Sequence, residues 1–307
     1  MAGLGVLAGA IVFTGGMANE RFSKAQLAAL SRIVIGSEEA KSCAGARPIS
    51  KLCSFGAADR EAAPRWLLWG DSHAGSMLPA LITLVDERQR RVIFANKGNC
   101  PPLPGVIRSD MPPSENTKCE RLRQNVLEMT LSDDRIETVF LVARWPMYGE
   151  GHQLPSEGGA RFTLIDSVDP RTRASNLAVI QAALGRLSRK LIDKGKNVVI
   201  VRSAPELPWN AVHRIEADIL FGVPFNDDQV SLAEIQLRQA KTNAVLEAVG
   251  EVFGLNVVAL AKPLCAQGCP VRSGVTSFYR DNNHFTPIGA ELLVPILDQA
   301  IPYQNDQ

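Results

Sequence analysis

The chain lacks an excess of charge of either sign. Its 33 Lys and Arg are set against 32 Asp and Glu, for a formal net charge of +1. Acids and bases are mixed along its length, so there is no basic stripe of the kind that neutralises nucleic-acid phosphates, and no nucleic-acid partner is expected. It also lacks a phosphate-cradling glycine loop, a dinucleotide fingerprint and any His/Cys/Asp/Glu spacing that reads as a metal site. No bound cofactor and no metal are therefore expected. No internal repeat or low-complexity tract is present. No Lys or Arg precedes the apolar start, so the basic n-region of a secretory signal is missing.

What is present is ordinary globular composition, 46% hydrophobic and 21% charged over 307 residues, enough for one large domain or two modest ones. The start differs. "MAGLGVLAGAIVFTGGMA" carries no charge from Met1 to Ala18, and Asn19-Glu20-Arg21 ends it. A membrane-spanning helix takes about 20 apolar residues, with a range of about 17–25. The run is at the short end and rich in glycine, which suits close packing on other membrane helices. Residues 1–20 are read as a transmembrane segment, the end of a larger membrane domain. A buried glycine-rich helix or a disordered start is the other reading. Arg21 and Lys24 alone would put the following chain in the cytoplasm.

The cysteines point the other way. Cys43, Cys53, Cys100, Cys119, Cys265 and Cys269 fall into three neighbouring couples set among Pro, Gly and Ser. None builds the paired C-x-x-C of a zinc site. The preferred pairing is Cys43–Cys53, Cys100–Cys119 and Cys265–Cys269, one of the many connectivities that six cysteines permit. Disulfides belong to oxidising compartments. The cysteines are given the greater weight, so the main domain is expected outside the cytoplasmic membrane. Unrelated thiols in a cytosolic protein are the alternative.

Residues 21–63 read as an extracytoplasmic connector, and residues 64–303 as the folded domain. In the latter, "RWLLWG", "RRVIFANKG", "TVFLVARW", "NVVIVRSA" and "NVVALA" are short Val/Ile/Leu-rich runs that suit buried strands. Helical patterns over 74–88, 116–132, 174–194 and 231–250 separate them. Alternation of strand and helix predicts a three-layer α/β/α sandwich around a parallel sheet of about five strands, with ligands gathering at the strands' carboxyl ends. A last helix is expected with Thr286 as N-cap and Pro287 in its first turn. Ile288, Leu292, Leu293, Ile296 and Leu297 would share one face.

Gly70-Asp71-Ser72-His73 stands where the first strand ends and a helix begins. Glycine permits a sharp turn there, and the serine hydroxyl would face the crevice with amides of the helix N-terminus beside it. A serine nucleophile needs a base. Asp281 precedes His284 by three residues in a polar loop before the last helix. One turn there brings the carboxylate to one imidazole nitrogen and leaves the other for the serine proton.

"GDSHA" early and "DNNH" late, on alternating β/α units, resemble the SGNH (GDSL-type) hydrolase superfamily. "GNCPPLPG", "VFLVARW" and the Cys265–Cys269 couple ahead of "FYRDNNHFTPIGA" resemble, more narrowly, the SGNH domain fused to type-3 acyltransferases, which O-acylate bacterial surface polysaccharides. The resemblance implies an SGNH hydrolase-like, flavodoxin-like fold with Ser72 as nucleophile, His284 as general base and Asp281 as its orienter. It implies a membrane acyltransferase domain, in cis or in trans, that supplies an acetyl group ultimately drawn from acetyl-CoA. The acceptor would be a polysaccharide or lipid-linked glycan such as lipopolysaccharide O-antigen. The protein would sit in the bacterial inner membrane with the SGNH domain in the periplasm. A carbohydrate esterase with water as acceptor uses the same residues. A non-catalytic glycan-binding domain is a third reading, against which the intact Ser/Asp/His set argues.

The sequence departs from the superfamily at the third strand. Ala143-Arg144-Trp145 stands where a Gly and an Asn side chain would complete the oxyanion hole. The Ser72 amide is one donor, and Gly98 and Asn99 are candidates for another. Arg144 and Trp145 either face the crevice, Trp145 stacking on a sugar and Arg144 holding an anion, or form a capped strand end with a core tryptophan. His73 reads as a turn or packing residue, and His152 and His213 as surface histidines. The 217–228 loop is placed by position beside the acceptor site.

Overall fold

A computed structural model describes residues 22–30, 36–56, 65–171, 175–223 and 230–301. The transmembrane segment expected over residues 1–20 lies outside these. Among the described residues no helix is long and apolar enough to cross a membrane.

Two short helices, α1 (Lys24–Leu30) and α2 (Glu38–Cys43), lead into β1 (Cys53–Gly56). There follow β2 (Arg65–Gly70), α3 (Ser72–Glu87), β3 (Arg91–Asn96), β4 (Val106–Arg108), α4 (Pro113–Ser132) and β5 (Ile136–Val142). Next come α5 (Trp145–Glu150), β6 (Leu164–Asp166), α6 (Asn176–Ile192), β7 (Asn197–Val201), α7 (Ala211–Phe221), α8 (Leu232–Phe253) and β8 (Asn256–Val258). After α9 (Ala261–Leu264) and the ribbon of β9 (Arg272–Ser273) and β10 (Thr276–Ser277), the described chain ends with α10 (Pro287–Glu291) and α11 (Val294–Ala300).

The main sheet has six strands in the order β1-β3-β2-β5-β7-β8. From β3 to β8 every pairing is parallel. Successive residues of a strand point to opposite faces, so each strand feeds two cores. Trp66, Leu68, Phe94 and Phe140 pack beneath α3, α10 and α11. Leu67, Trp69, Val139 and Leu141 pack beneath α4, α6 and α8. Covering on both faces is why these strands read as unbroken apolar runs rather than alternations.

The sheet has one strand more than the five expected. β1 comes from the segment read as a connector and pairs antiparallel with β3, Cys53 opposite Phe94. It is only four residues long and exposes one side, so it has no periodic signal. The last helix is also two pieces. Pro295 has no N–H to give to the Glu291 carbonyl, and the chain turns between α10 and α11. Ile288, assigned to the apolar face, is 45% exposed, whereas Leu293 and Leu297 are buried.

All six cysteines are paired as preferred: Cys43–Cys53, Cys100–Cys119 and Cys265–Cys269. The first ties α2 to the edge strand.

Candidate active site

β2 ends at Gly70, where a Cβ would fall on the Val142 carbonyl of β5. Only glycine allows the two strand ends to lie that close. Asp71 follows as the N-cap of α3, its Oδ1 accepting the His73 amide at 2.8 Å. Its Oδ2 accepts the Arg144 amide at 3.0 Å and the Tyr148 hydroxyl at 2.9 Å. The buried Asp71 carboxylate thus stitches the turn after β2 to the turn after β5. Burial pushes its pKa up, against the amides of Arg144 and His73. Its place in the motif is structural, and it leaves Ser72 half-buried at the first turn of α3.

Across 212 positions of sequence, His284 Nε2 lies 2.8 Å from Ser72 Oγ. His284 Nδ1 lies 2.7 Å from Asp281 Oδ2. An ionised carboxylate only accepts, so Nδ1 carries the proton and Nε2 is free to accept one from the serine. Asp281 Oδ1 accepts the amides of Asn283 and His284, each at 2.8 Å. Burial acts to raise the Asp281 pKa, but the hydrogen bond and charge of His284 and these two amides outweigh it and hold the carboxyl well below the usual range. The loop is pinned from the α7 side, where Leu207 N donates to Asn282 O at 2.7 Å and Ala211 N to Asp281 O at 3.1 Å.

His73 is fully buried. Its ring lies 4.7 Å from that of His284, and its Nε2 is 3.0 Å from Asn283 Oδ1. Burial drives its pKa well below the ordinary histidine value, and the charges of His284 and Arg144 push the same way. It is the packing residue that the sequence indicates.

A cavity of about 240 Å³ opens at Ser72. Ser37, Ala40 and Lys41 of the α2 stretch wall one side, and Ser76, Asn96 and Arg280 line the rest. Asn96 is the residue that sequence reasoning missed. It ends β3, is 4% exposed, and donates a long 3.4 Å bond from Nδ2 to the Asp71 carbonyl. Its Oδ1 has no partner. The available signal was a polar residue closing the Val92–Ala95 run at the sheet's carboxyl edge.

The other candidates separate. Gly98 lines the Ser72 cavity. Asn99 does not fill an oxyanion role here: it is exposed at φ 62°, and its Oδ1 accepts from Arg108 Nη1 at 3.2 Å. Trp145 is not a sugar platform. It is fully buried, and its Nε1 donates to the Val201 carbonyl at 2.9 Å. Arg144 is not an open anion clamp either. At 5% exposure, its guanidinium is held by Glu157, Nη1 to Oε1 at 2.8 Å, and by Glu206, Nε to Oε1 at 2.7 Å. The capped strand end with a core tryptophan is the arrangement found. Of the remaining histidines, His213 is exposed on α7 and His152 is half-buried, its Nδ1 2.7 Å from the Gln153 carbonyl.

The family described as an SGNH domain fused to AT3 domains matches residues 39–299. The periplasmic domain of the lipopolysaccharide acetyltransferase of Salmonella ser. Paratyphi A has the same fold. It aligns with a TM-score of 0.59 at 18% identity, over 84% of this chain and 90% of that one. TesA aligns with a TM-score of 0.43 at 10% identity, over 77% of this chain and 97% of its own. No curated protein matches the chain. A serine opening the helix after β2, a histidine and its carboxylate just ahead of α10, and a family match across 39–299 all fall on one α/β/α domain. The chain belongs to the family of SGNH domains fused to AT3 domains.

Proposed function

We propose that the domain is an O-acyltransferase that carries an acyl group, as acetyl, on Ser72 and passes it to a hydroxyl of a bacterial surface polysaccharide. The observation behind this reading is the Ser72–His284–Asp281 relay at the mouth of a cavity, in a family whose SGNH domains are fused to AT3 domains. The AT3 membrane domain, in cis or in trans, delivers the acyl group. Three disulfides favour a site outside the cytoplasmic membrane.

In the first half-reaction Ser72 Oγ attacks the donor's acyl carbonyl while His284 Nε2 takes the hydroxyl proton. The donor's leaving oxygen departs with that proton, and the acyl group is esterified to Ser72. In the second, His284 takes the proton of a sugar hydroxyl, whose oxygen attacks the ester. Ser72 recovers a proton and the acylated sugar leaves. Asp281 keeps the His284 ring oriented and stabilises its charged form. The oxyanion of each tetrahedral intermediate is met by the Ser72 amide and by Asn96 Nδ2, whose long bond to Asp71 is readily exchanged for a shorter one to an anion.

The test is acyl partition by the full chain supplied with an acetyl ester and de-O-acetylated surface polysaccharide of its source bacterium. Acetyl on sugar that falls by about 10⁴-fold or more in Ser72→Ala is expected. Serine-dependent release of acetate with no sugar acetylation would make the domain an esterase. Equal transfer by both proteins would remove Ser72 from the chemistry.

A further inference from the structure

A second cavity, of about 800 Å³, borders the loop that carries His284, with Asn282 in its lining. It is larger than the cavity at Ser72 and falls within the range of about 300–1,000 Å³ usual for ligand sites. Its lining includes Trp209, Gln153, Asn210, Arg214, Glu216 and Asn282. None of these belongs to the relay, yet the cavity is built on the relay's own support. Asn282 is two residues before His284, and the α7 turn carrying Trp209 and Asn210 supplies the amides that pin Asp281 and Asn282.

The lining has a definite chemistry. Four tryptophans occur in the chain. Trp66, Trp69 and Trp145 are 3%, 1% and 0% exposed, whereas Trp209 is half-buried and borders the cavity. Arg214 lies 5.4 Å from its ring centroid, which steadies the indole in place. Around it stand carboxamides, the carboxylates of Glu157 and Glu216 and the guanidinium of Arg214, groups that together donate to and accept from hydroxyls. An aromatic plate takes the C–H face of a pyranose, and such a polar rim takes its hydroxyl edge. Carboxylates outnumber guanidinium in the lining, which disfavours a polyanion.

We propose that this cavity is an acceptor subsite that binds the oligosaccharide whose hydroxyl is acylated, with Trp209 as its stacking platform. The proposal rests on the acyltransferase reading and adds where the glycan lies. An acceptor bound against α7 also steadies the backbone that holds Asp281.

The experiment separates binding from chemistry. The full chain carrying Ser72→Ala is titrated with oligosaccharides from the de-O-acetylated surface polysaccharide of the source bacterium, followed by calorimetry and tryptophan emission. The expected result is saturable binding with a shift in emission that disappears in Trp209→Phe, because the other three indoles are in the core. Trp209→Ala should weaken calorimetric binding by about tenfold or more. Should Trp209→Ala fail to fold, Gln153→Ala takes its place and should also weaken binding. No binding, or binding of equal strength in these variants, or an emission shift that survives Trp209→Phe, would overturn the subsite. Acetyl transfer by Ser72→Ala would instead overturn the Ser72 acyl-enzyme and leave the binding result standing.

Discussion

Asn283 Oδ1 and His73 Nε2, 210 positions apart in the sequence, meet at 3.0 Å in the buried floor of the site. The Asn283 amide nitrogen faces Asn282 Oδ1 at 2.6 Å and Glu157 Oε1 at 3.4 Å. Its oxygen therefore faces the imidazole, which must present an N–H there. The other ring nitrogen, Nδ1, is buried without a partner. A proton added at Nδ1 would have nothing to bond to, so the ring stays neutral while it supports His284 from behind.

That neutrality makes stability depend on pH. Burial, then the charges of His284 and Arg144, depress the folded pKa of His73 well below its unfolded value of about 6.5. Between the two values the unfolded chain binds the extra proton. The contribution is present above about pH 6.5 and is lost as pH falls below it, at up to about 1.4 kcal/mol per pH unit. Asp281 and Glu157, both held low, add a further loss as pH falls through the carboxylate range. Urea denaturation across pH 5–8 should show the first slope, and His73→Gln, which keeps a donor for Asn283, should flatten it. An unchanged slope in that variant would assign the effect elsewhere.

Asn96→Ala should lower kcat for acyl transfer by about 10²–10³, the usual effect of removing one oxyanion donor. Stability should change little, because the Asn96 acceptor has no partner to lose and its one donated bond is long. Steady-state kinetics and a melting curve on the same preparation check both halves. A wild-type kcat would exclude Asn96 from the oxyanion hole.

Arg144→Met should destabilise the fold by about 3 kcal/mol, because it takes the guanidinium from Glu157 and leaves Glu206 with Arg238 alone in a largely buried site. Equilibrium unfolding measures this directly. A stable variant whose KM for the acceptor rises would instead return Arg144 to substrate binding.

The parts of the site legible in sequence were those written as local grammar. Gly70-Asp71-Ser72-His73 closes an apolar run and opens a helix, and Asp281 and His284 need only one turn to meet. The central strands were legible because burial on both faces leaves unbroken apolar runs. Side-chain direction at a strand end was not. Trp145 turns inward to the Val201 carbonyl, and the partners of Arg144 lie 13 and 62 positions downstream, distances that no local pattern encodes. β1 escaped because a four-residue edge strand is specified by its neighbour, β3, more than by its own residues. Asn96 escaped because a lone polar residue after a strand is common, and only the fold puts it beside Ser72.

The bridge from Cys43 to Cys53 has a consequence in time. α2 and the residues just before it form one wall of the cavity at Ser72, and α2 is fastened to the sheet through that bond, the Gly45 amide on the Asn96 carbonyl and a few packed side chains. The relay itself sits on β2, α3 and the 281–284 loop, none of which contains Cys43 or Cys53. A newly made, still reduced chain can therefore fold its sheet and bring Ser72 to His284 while its cavity wall is loose. Forming that bond fixes the wall, so the pocket is complete in the oxidised chain.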